Sequence, residues 1–294
     1  MPKKEISKYP IEWLLPVLII VGMFTIYPVG YAIWTSLHRV LLLLPAKPFV
    51  GLKNYLDVLQ SIYFREALLN TIIFTVFTAP ATVIIALGVA KLLLTRFVGR
   101  SIIRPVVLLP WAIPGSVAGA IWLWILHPNW GLLNGFLLKL GLIDTYIPWL
   151  SDPTLAKFSV MVCHIWTQVP FATILLMAGL SIIPVEILEA AQVDGAGAFR
   201  RFIKITVPQI KVMLVITLIY ECITGITLYD ATYSLTGGGP GGATTLLSYF
   251  IWAEAFKMLN FGRGAALAVI IAALTLAFIL LILKTIPTEI FAEE

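Results

Sequence analysis

The stretch Glu189–Pro208, "EAAQVDGAGAFRRFIKITVP", interrupts a chain of 294 residues that is 60% hydrophobic and only 12% charged. It sets Ala190, Ala191 and Gly195 beside three basic side chains, Arg200, Arg201 and Lys204, and an apolar run stands on either side of it. The length of those runs decides the fold class, because a hydrocarbon core about 30 Å thick takes about 20 apolar residues of helix. Five runs free of Lys, Arg, Asp and Glu meet that length: Trp13–Leu37, Ala67–Ala90, Pro105–Leu126, Phe158–Ile183 and Gly264–Leu283. A sixth, Val212–Tyr229, meets it with Glu221 inside. The pattern predicts an all-α, polytopic membrane protein with six transmembrane helices, forming one transmembrane domain over residues 1–294.

A mean hydropathy of +0.98 excludes a soluble fold, which needs more polar surface than these charges supply. The first run is too long for a signal-peptide core of roughly 7–15 residues and reads as an uncleaved span. The net charge of +5 lies in short clusters between spans rather than along one face, which argues for membrane topology and against nucleic acid. Lys3, Lys4 and Lys8, then Lys91, Arg96, Arg100 and Arg104, then Arg200, Arg201, Lys204 and Lys211 all fall on one side of a six-span arrangement. By the positive-inside rule that side is cytoplasmic, with both termini on it, in a cell (inner) membrane. The opposite loops carry Arg39, Lys47, Lys53 and Arg65, diluted by Asp57 and Glu66.

Those outer loops read as structured. In Gly51–Ser61, Leu52, Tyr55, Leu56 and Leu59 recur at helical spacing, as in a short helix lying on the interface. "TGGGPGGATT", Thr236–Thr245, supports neither helix nor strand and leads into Leu246–Phe256, which is too short to span. The glycine-rich run lacks the Lys-Ser/Thr ending of a phosphate loop. His38, His127 and His164 are far apart, Cys163 and Cys222 are isolated in apolar runs, and no metal-ligand or nucleophile spacing occurs. The chain is predicted to be no enzyme and to hold no metal.

Polarity inside the spans is the remaining signal, since it is costly in lipid and tends to face a bundle interior or a water-filled path. His164, Thr167, Gln168 and Phe171 share one helical face of the fourth span. Glu221, Thr224 and Gly225 repeat that spacing in the fifth, with Asp230 near its outer end. Meeting faces of this kind suit a ligand rich in hydroxyls, the carboxylate and amide supplying hydrogen bonds and Phe171 an apolar plate. The competing reading is interhelical glue, worth roughly 0.6–2 kcal/mol per pair. A third keeps Glu221 and Asp230 as proton carriers of a secondary transporter.

The opening stretch then reads as a cytoplasmic helix-turn-helix, residues 184–208, with Pro184 and Glu186 suited to a helix start. Gly195 interrupts it, Ala196–Lys204 forms a second short helix, and Pro208 opens the next span. Its small residues would let another backbone approach. Glu189-Ala190-Ala191, three residues, Gly195, nine residues, Ile205, one residue and Val207-Pro208 resembles the EAA signature of binding-protein-dependent ABC importer permeases, with Val207 in place of the usual Leu. "WTQVPF" from Trp166 and "DATYSLTGGGPGGATT" from Asp230 resemble the carbohydrate-uptake branch, and within it the MalF-like (maltose-type) subunits.

The resemblance, which runs from about Leu14 to Leu283, implies a type I ABC importer permease. It implies a second, MalG-like permease subunit, two cytoplasmic ATPase subunits that bind ATP and Mg, and an extracytoplasmic sugar-binding protein. This chain would then need no cofactor of its own. Glu189, Ala190, Ala191, Gly195 and Pro208 would belong to the element that seats in the ATPase, Glu189 facing a basic residue there. Counting by offset, the family's sugar-contacting positions fall on His164, Thr167, Gln168, Phe171, Glu221, Thr224 and Gly225. The branch suggests a disaccharide or short oligosaccharide, with glycerol phosphate or its diesters as the competing cargo.

Overall fold

The structure, a computed structural model, describes residues 14–95 and 97–285. The N-terminal lysines, Trp13 and Arg96 of the sequence reading lie outside them. Four described helices are continuous, long and apolar enough to cross a bilayer: α1 (Leu15–Ser36), α3 (Ile62–Leu94), α7 (Pro153–Ser181) and α13 (Phe261–Thr285). Each extends beyond or close to its expected run. At 1.5 Å per residue the 33 residues of α3 reach about 50 Å, well past a hydrocarbon core of about 30 Å.

The other two expected spans are bent. The third is not one helix over Pro105–Leu126: α4 (Arg100–Ala112) and α5 (Gly115–Ile125) meet at 102°. The cause is local, because Pro114 disfavours helical geometry at the residue before it, and Ile113 is extended with ψ 126°. The fifth expected span starts at Lys211 rather than Pro208. Pro208 closes α9 (Ala198–Gln209), and α10 (Lys211–Thr227) leaves it at 73°. Counting each bent pair as one span brings the total to six. Leu228 is extended, so the helix stops there and Asp230 begins a separate short helix, α11 (Asp230–Leu235).

The described chain divides into two compact units. One joins the residues up to Gln60 with Ile251–Ala272. In it α2 (Lys53–Leu59) follows the end of α1, buries Asn54 and Val58, and leaves the leucines of its apolar stripe exposed, as an interfacial helix requires. The Asn54 amide donates to the carbonyls of Ser36 (2.7 Å) and His38 (2.9 Å), which fixes how the chain leaves the first span.

The second unit, Ser61–Phe250 with the chain from Ala273 on, is built on α3, α7 and α10. Asp152 caps α7 by accepting from the amides of Thr154 and Leu155, both 2.9 Å, with Pro153 in its first turn. Two apolar clusters lie at different heights in the unit. One gathers Phe74, Ala118, Val160, Cys163, Leu228 and Leu246; the other gathers Val83, Ala86, Ala90, Ala172 and Leu176. The alanines of the second let α3 and α7 approach closely.

On the other flank α11 packs on α5, where Gly115 and Gly119 are one turn apart. A Cβ on Gly119 would stand 2.8 Å from the Ala231 carbonyl, and one on Gly115 would collide with the Asp230 carboxylate. The glycine-rich loop after α11 is fastened to α3, since the Asn70 amide donates to the Gly242 and Thr245 carbonyls, both at 3.2 Å. Three further short helices complete the series: α6 (Leu132–Lys139), α8 (Val185–Val193) and α12 (Leu247–Trp252).

Candidate functional site

Between the two apolar clusters α3, α7 and α10 carry a polar layer. On α7 the upper cluster takes Val160 and Cys163 and the lower takes Ala172 and Leu176, which leaves His164, Thr167, Gln168 and Phe171 between them. On α10 Leu218 packs on the lower cluster, and Leu228, just past the helix end, belongs to the upper, leaving Glu221, Thr224 and Gly225 between them. The sequence reading missed the third wall. Thr71, Thr75, Thr78 and Thr82 of α3 are all buried, and their spacing of four, three and four puts them on one face. That spacing was visible in the sequence, but threonine is common enough in membrane helices to pass as packing.

Most hydroxyls of this layer are satisfied within their own helix. Thr78 donates to the Phe74 carbonyl (2.8 Å), Thr167 to that of His164 (2.8 Å) and Thr224 to that of Glu221 (3.0 Å). The remaining polar atoms are not: both ring nitrogens of His164, Oε1 of Gln168, both carboxyl oxygens of Glu221 and the hydroxyls of Thr75 and Thr82 are buried with no hydrogen-bond partner among the described residues. A buried group left in this way costs about 1–3 kcal/mol. Several in one layer call for a polar partner beyond the described chain.

The two predicted faces do not simply face each other. His164 is 1% exposed, with its ring 5.2 Å from that of Phe74 on α3. Gly225, one turn beyond the fully buried Glu221, also abuts α3, where its Cβ would stand 3.1 Å from the Thr75 hydroxyl. The more open side of the layer is aromatic. Phe171 stacks on Trp111 of α4 (centroids 5.1 Å apart, planes at 20°) and meets Tyr220 of α10 at 4.7 Å. Trp111 keeps 49% of its surface exposed. Asp230 stands apart from the layer, its carboxylate against Gly115 in the first turn of α5 and its Oδ1 accepting from the Ala231 amide (2.8 Å). There the positive end of a helix suits a carboxylate.

The Glu189–Pro208 segment lies at the far end of the same unit. No residue of α8 is buried, and Glu189 and Ala190 are exposed. The helix ends in a Schellman motif: the Ala196 amide donates to Ala191 (2.9 Å) and the Gly195 amide to Gln192 (3.1 Å), with Gly195 at φ +77°. A Cβ on Gly195 would meet nothing within 4 Å, so this glycine serves backbone conformation and not close approach within the chain. Arg201 donates to Gln192 Oε1 (2.6 Å) and ties the second helix back to the first. Val193 and Phe199 are 88% and 79% exposed, leaving an apolar surface beside the charges.

Residues 79–286, most of α3 through α13, match the family described as binding-protein-dependent transport system inner membrane component. The chain belongs to that family. It is therefore a transport permease of the membrane and no enzyme. It is 38% identical to the trehalose/maltose transport system permease protein MalF of Thermococcus litoralis, over 92% of this chain and 91% of the relative. It is 36% identical to the sulfoquinovosyl glycerol permease SmoG of Agrobacterium fabrum, over 94% and 89%. The sn-glycerol-3-phosphate permease UgpA of Yersinia pestis is 31% identical, over 94% and 92%. The fold matches a chain of a bacterial ABC transporter that imports the acidic polysaccharide alginate, with a TM-score of 0.78, 22% identity and 93% of each chain covered. The permease thus has the type I ABC importer fold.

Proposed function

We propose that this permease is one transmembrane half of an ATP-driven carbohydrate importer that works by alternating access. A second, MalG-like permease completes the pathway, two cytoplasmic ATPases bind ATP and Mg, and an extracytoplasmic protein delivers a disaccharide or short oligosaccharide. Both termini are cytoplasmic. The observation that carries the sugar reading is the polar layer of His164, Gln168, Glu221, Thr75 and Thr82, whose orphaned donors and acceptors match a polyol and which is bordered by the Trp111–Phe171–Tyr220 aromatics. The layer contains one carboxyl group and no lysine or arginine. A phosphate cargo would need a cation there, so a neutral sugar fits better than glycerol phosphate.

The projecting α8 with its Schellman turn is the coupling element, and Glu189, Ala190 and Ala191 face a groove on the ATPase. ATP-driven closure of the ATPases moves this element as a lever and parts α7 and α10 from α3. Two variants test the reading in vesicles that hold the complete transporter. Glu189→Lys is expected to abolish ATP-coupled uptake, whereas Glu221→Ala leaves ATPase docking intact and lowers uptake at least tenfold. Normal uptake by Glu189→Lys would remove the coupling assignment. Uptake that resists vanadate and collapses with the proton gradient would replace the ATP-driven reading by a proton-coupled one.

A further inference from the structure

In the first unit a polar cavity of about 430 Å³ lies where the apolar span α1 has just ended and the apolar span α13 begins. Arg39, Lys53 and Arg263 line it, with Asp57 one turn from Lys53 on α2. Its walls are well held. Asn54, also in the lining, is bonded to Ser36 and His38, the Arg39 amide donates to Pro48 (2.9 Å), and the Gly262 amide donates to Val40 (3.2 Å). Asn260 accepts from the Arg263 amide (3.1 Å) and so sets the start of α13.

The charges in this frame are unbalanced. Arg263 reaches Glu254 through one terminal nitrogen at 3.4 Å, and its Nε is buried without a hydrogen-bond partner. Among the described residues Arg39 and Lys53 form no ion pair, and neither does Asp57. Three cations against the two carboxylates of Asp57 and Glu254 leave one positive charge over. Cations fixed at the ends of apolar spans lie beside the phosphate layer of a bilayer, where each Lys or Arg adds about 1 kcal/mol of attraction to anionic lipid.

We infer that the Arg39–Lys53–Arg263 cavity binds a phosphate-class monoanion, the phosphodiester of an anionic lipid headgroup or its soluble counterpart, inorganic phosphate. Arg263, held by Glu254, forms one wall, and Arg39, from the segment after α1, and Lys53, from α2, close on the anion. The site uses no residue of the polar layer, so it stands or falls apart from the nature of the transported solute.

The test is binding to the full-length chain in phosphatidylcholine nanodiscs containing phosphatidylglycerol, read by native mass spectrometry, with inorganic phosphate as a second arm. Retained phosphatidylglycerol that millimolar phosphate does not displace assigns the site to lipid; displacement by phosphate assigns it to the soluble anion. In either case Arg39→Gln and Lys53→Gln each weaken binding about fivefold, and Arg39→Lys keeps most of it. Neither glutamine variant removes an ion pair, so both should melt like the parent chain. Binding no stronger than that of phosphatidylcholine, or binding unchanged in both variants, overturns the inference. So does a dependence of binding-protein association on Arg39 and Lys53 when neither anion binds, since the cavity would then be a protein contact.

Discussion

The Lys91 ammonium lies 4.6 Å from the centroid of the Phe202 ring, joining the last turn of α3 to the second helix of the Glu189–Pro208 segment. The contact is a cation–π pair at an exposed site, worth about 0.5–1 kcal/mol. α3 also carries the threonine wall of the polar layer, so one continuous helix runs from the Glu189–Pro208 segment to that layer. Phe202→Leu keeps the apolar volume but removes the ring quadrupole. It is expected to lower ATP-coupled uptake about two- to fivefold while the melting temperature changes little, and Lys91→Arg should retain uptake. Equal uptake by Phe202→Leu and the parent chain would show that the pair is ornamental.

Gly225 and Thr75 report on the packing of α10 against α3. A Cβ at Gly225 would stand 3.1 Å from the Thr75 hydroxyl and 3.5 Å from its methyl group. Gly225→Val overpacks this contact and should cost about 2 kcal/mol, read as a lower denaturation midpoint in detergent. Thr75→Ala removes both atoms. In the double variant more than half of the loss should return, and a cycle showing simple additivity would mean that Gly225 and Thr75 do not touch.

Gly195 separates two reasons for a small residue. Its φ of +77° ends α8, and the space around it is open. Asn tolerates this conformation where a β-branched residue does not. Gly195→Asn is therefore expected to keep near-parent uptake, whereas Gly195→Val should weaken the Schellman turn by about 1–2 kcal/mol and lose ATPase-coupled uptake. If Asn fails as badly as Val, the glycine is needed for contact with a partner backbone and not for the turn.

How much of this could be read from the residues alone differs between elements. Charge-free runs of about 20 residues have one stable answer in lipid, a helix with every backbone group satisfied, so the membrane class and the straight spans α1, α3, α7 and α13 followed from composition. The family signature and the polar spacing on α7 and α10 were likewise local patterns, carried by residues one or two turns apart. Hydropathy has no means of registering a break, because proline and isoleucine remain apolar whichever way the chain turns. Thus the 102° bend at Ile113–Pro114 and the 73° bend at Ile210 emerged only with the backbone.

The same limit applied to the site. Periodicity placed His164 to Phe171 on one face, yet it could not say that His164 lies against Phe74 while Phe171 lies against Trp111. Nor could it say that Asp230 rests on the first turn of α5 instead of joining the layer. The sequence by itself determined that the protein is a helical membrane permease, where its polar Glu189–Pro208 interruption lies and which span faces are polar, because lipid selects apolar runs and penalises polar ones one helix at a time. Tertiary structure alone decided that α3 supplies the third wall, that Glu221 and His164 are shut away unpartnered, and that Arg39, Lys53 and Arg263 surround one cavity. Those facts depend on contacts between residues far apart in the chain, and distance along a sequence does not encode distance in space.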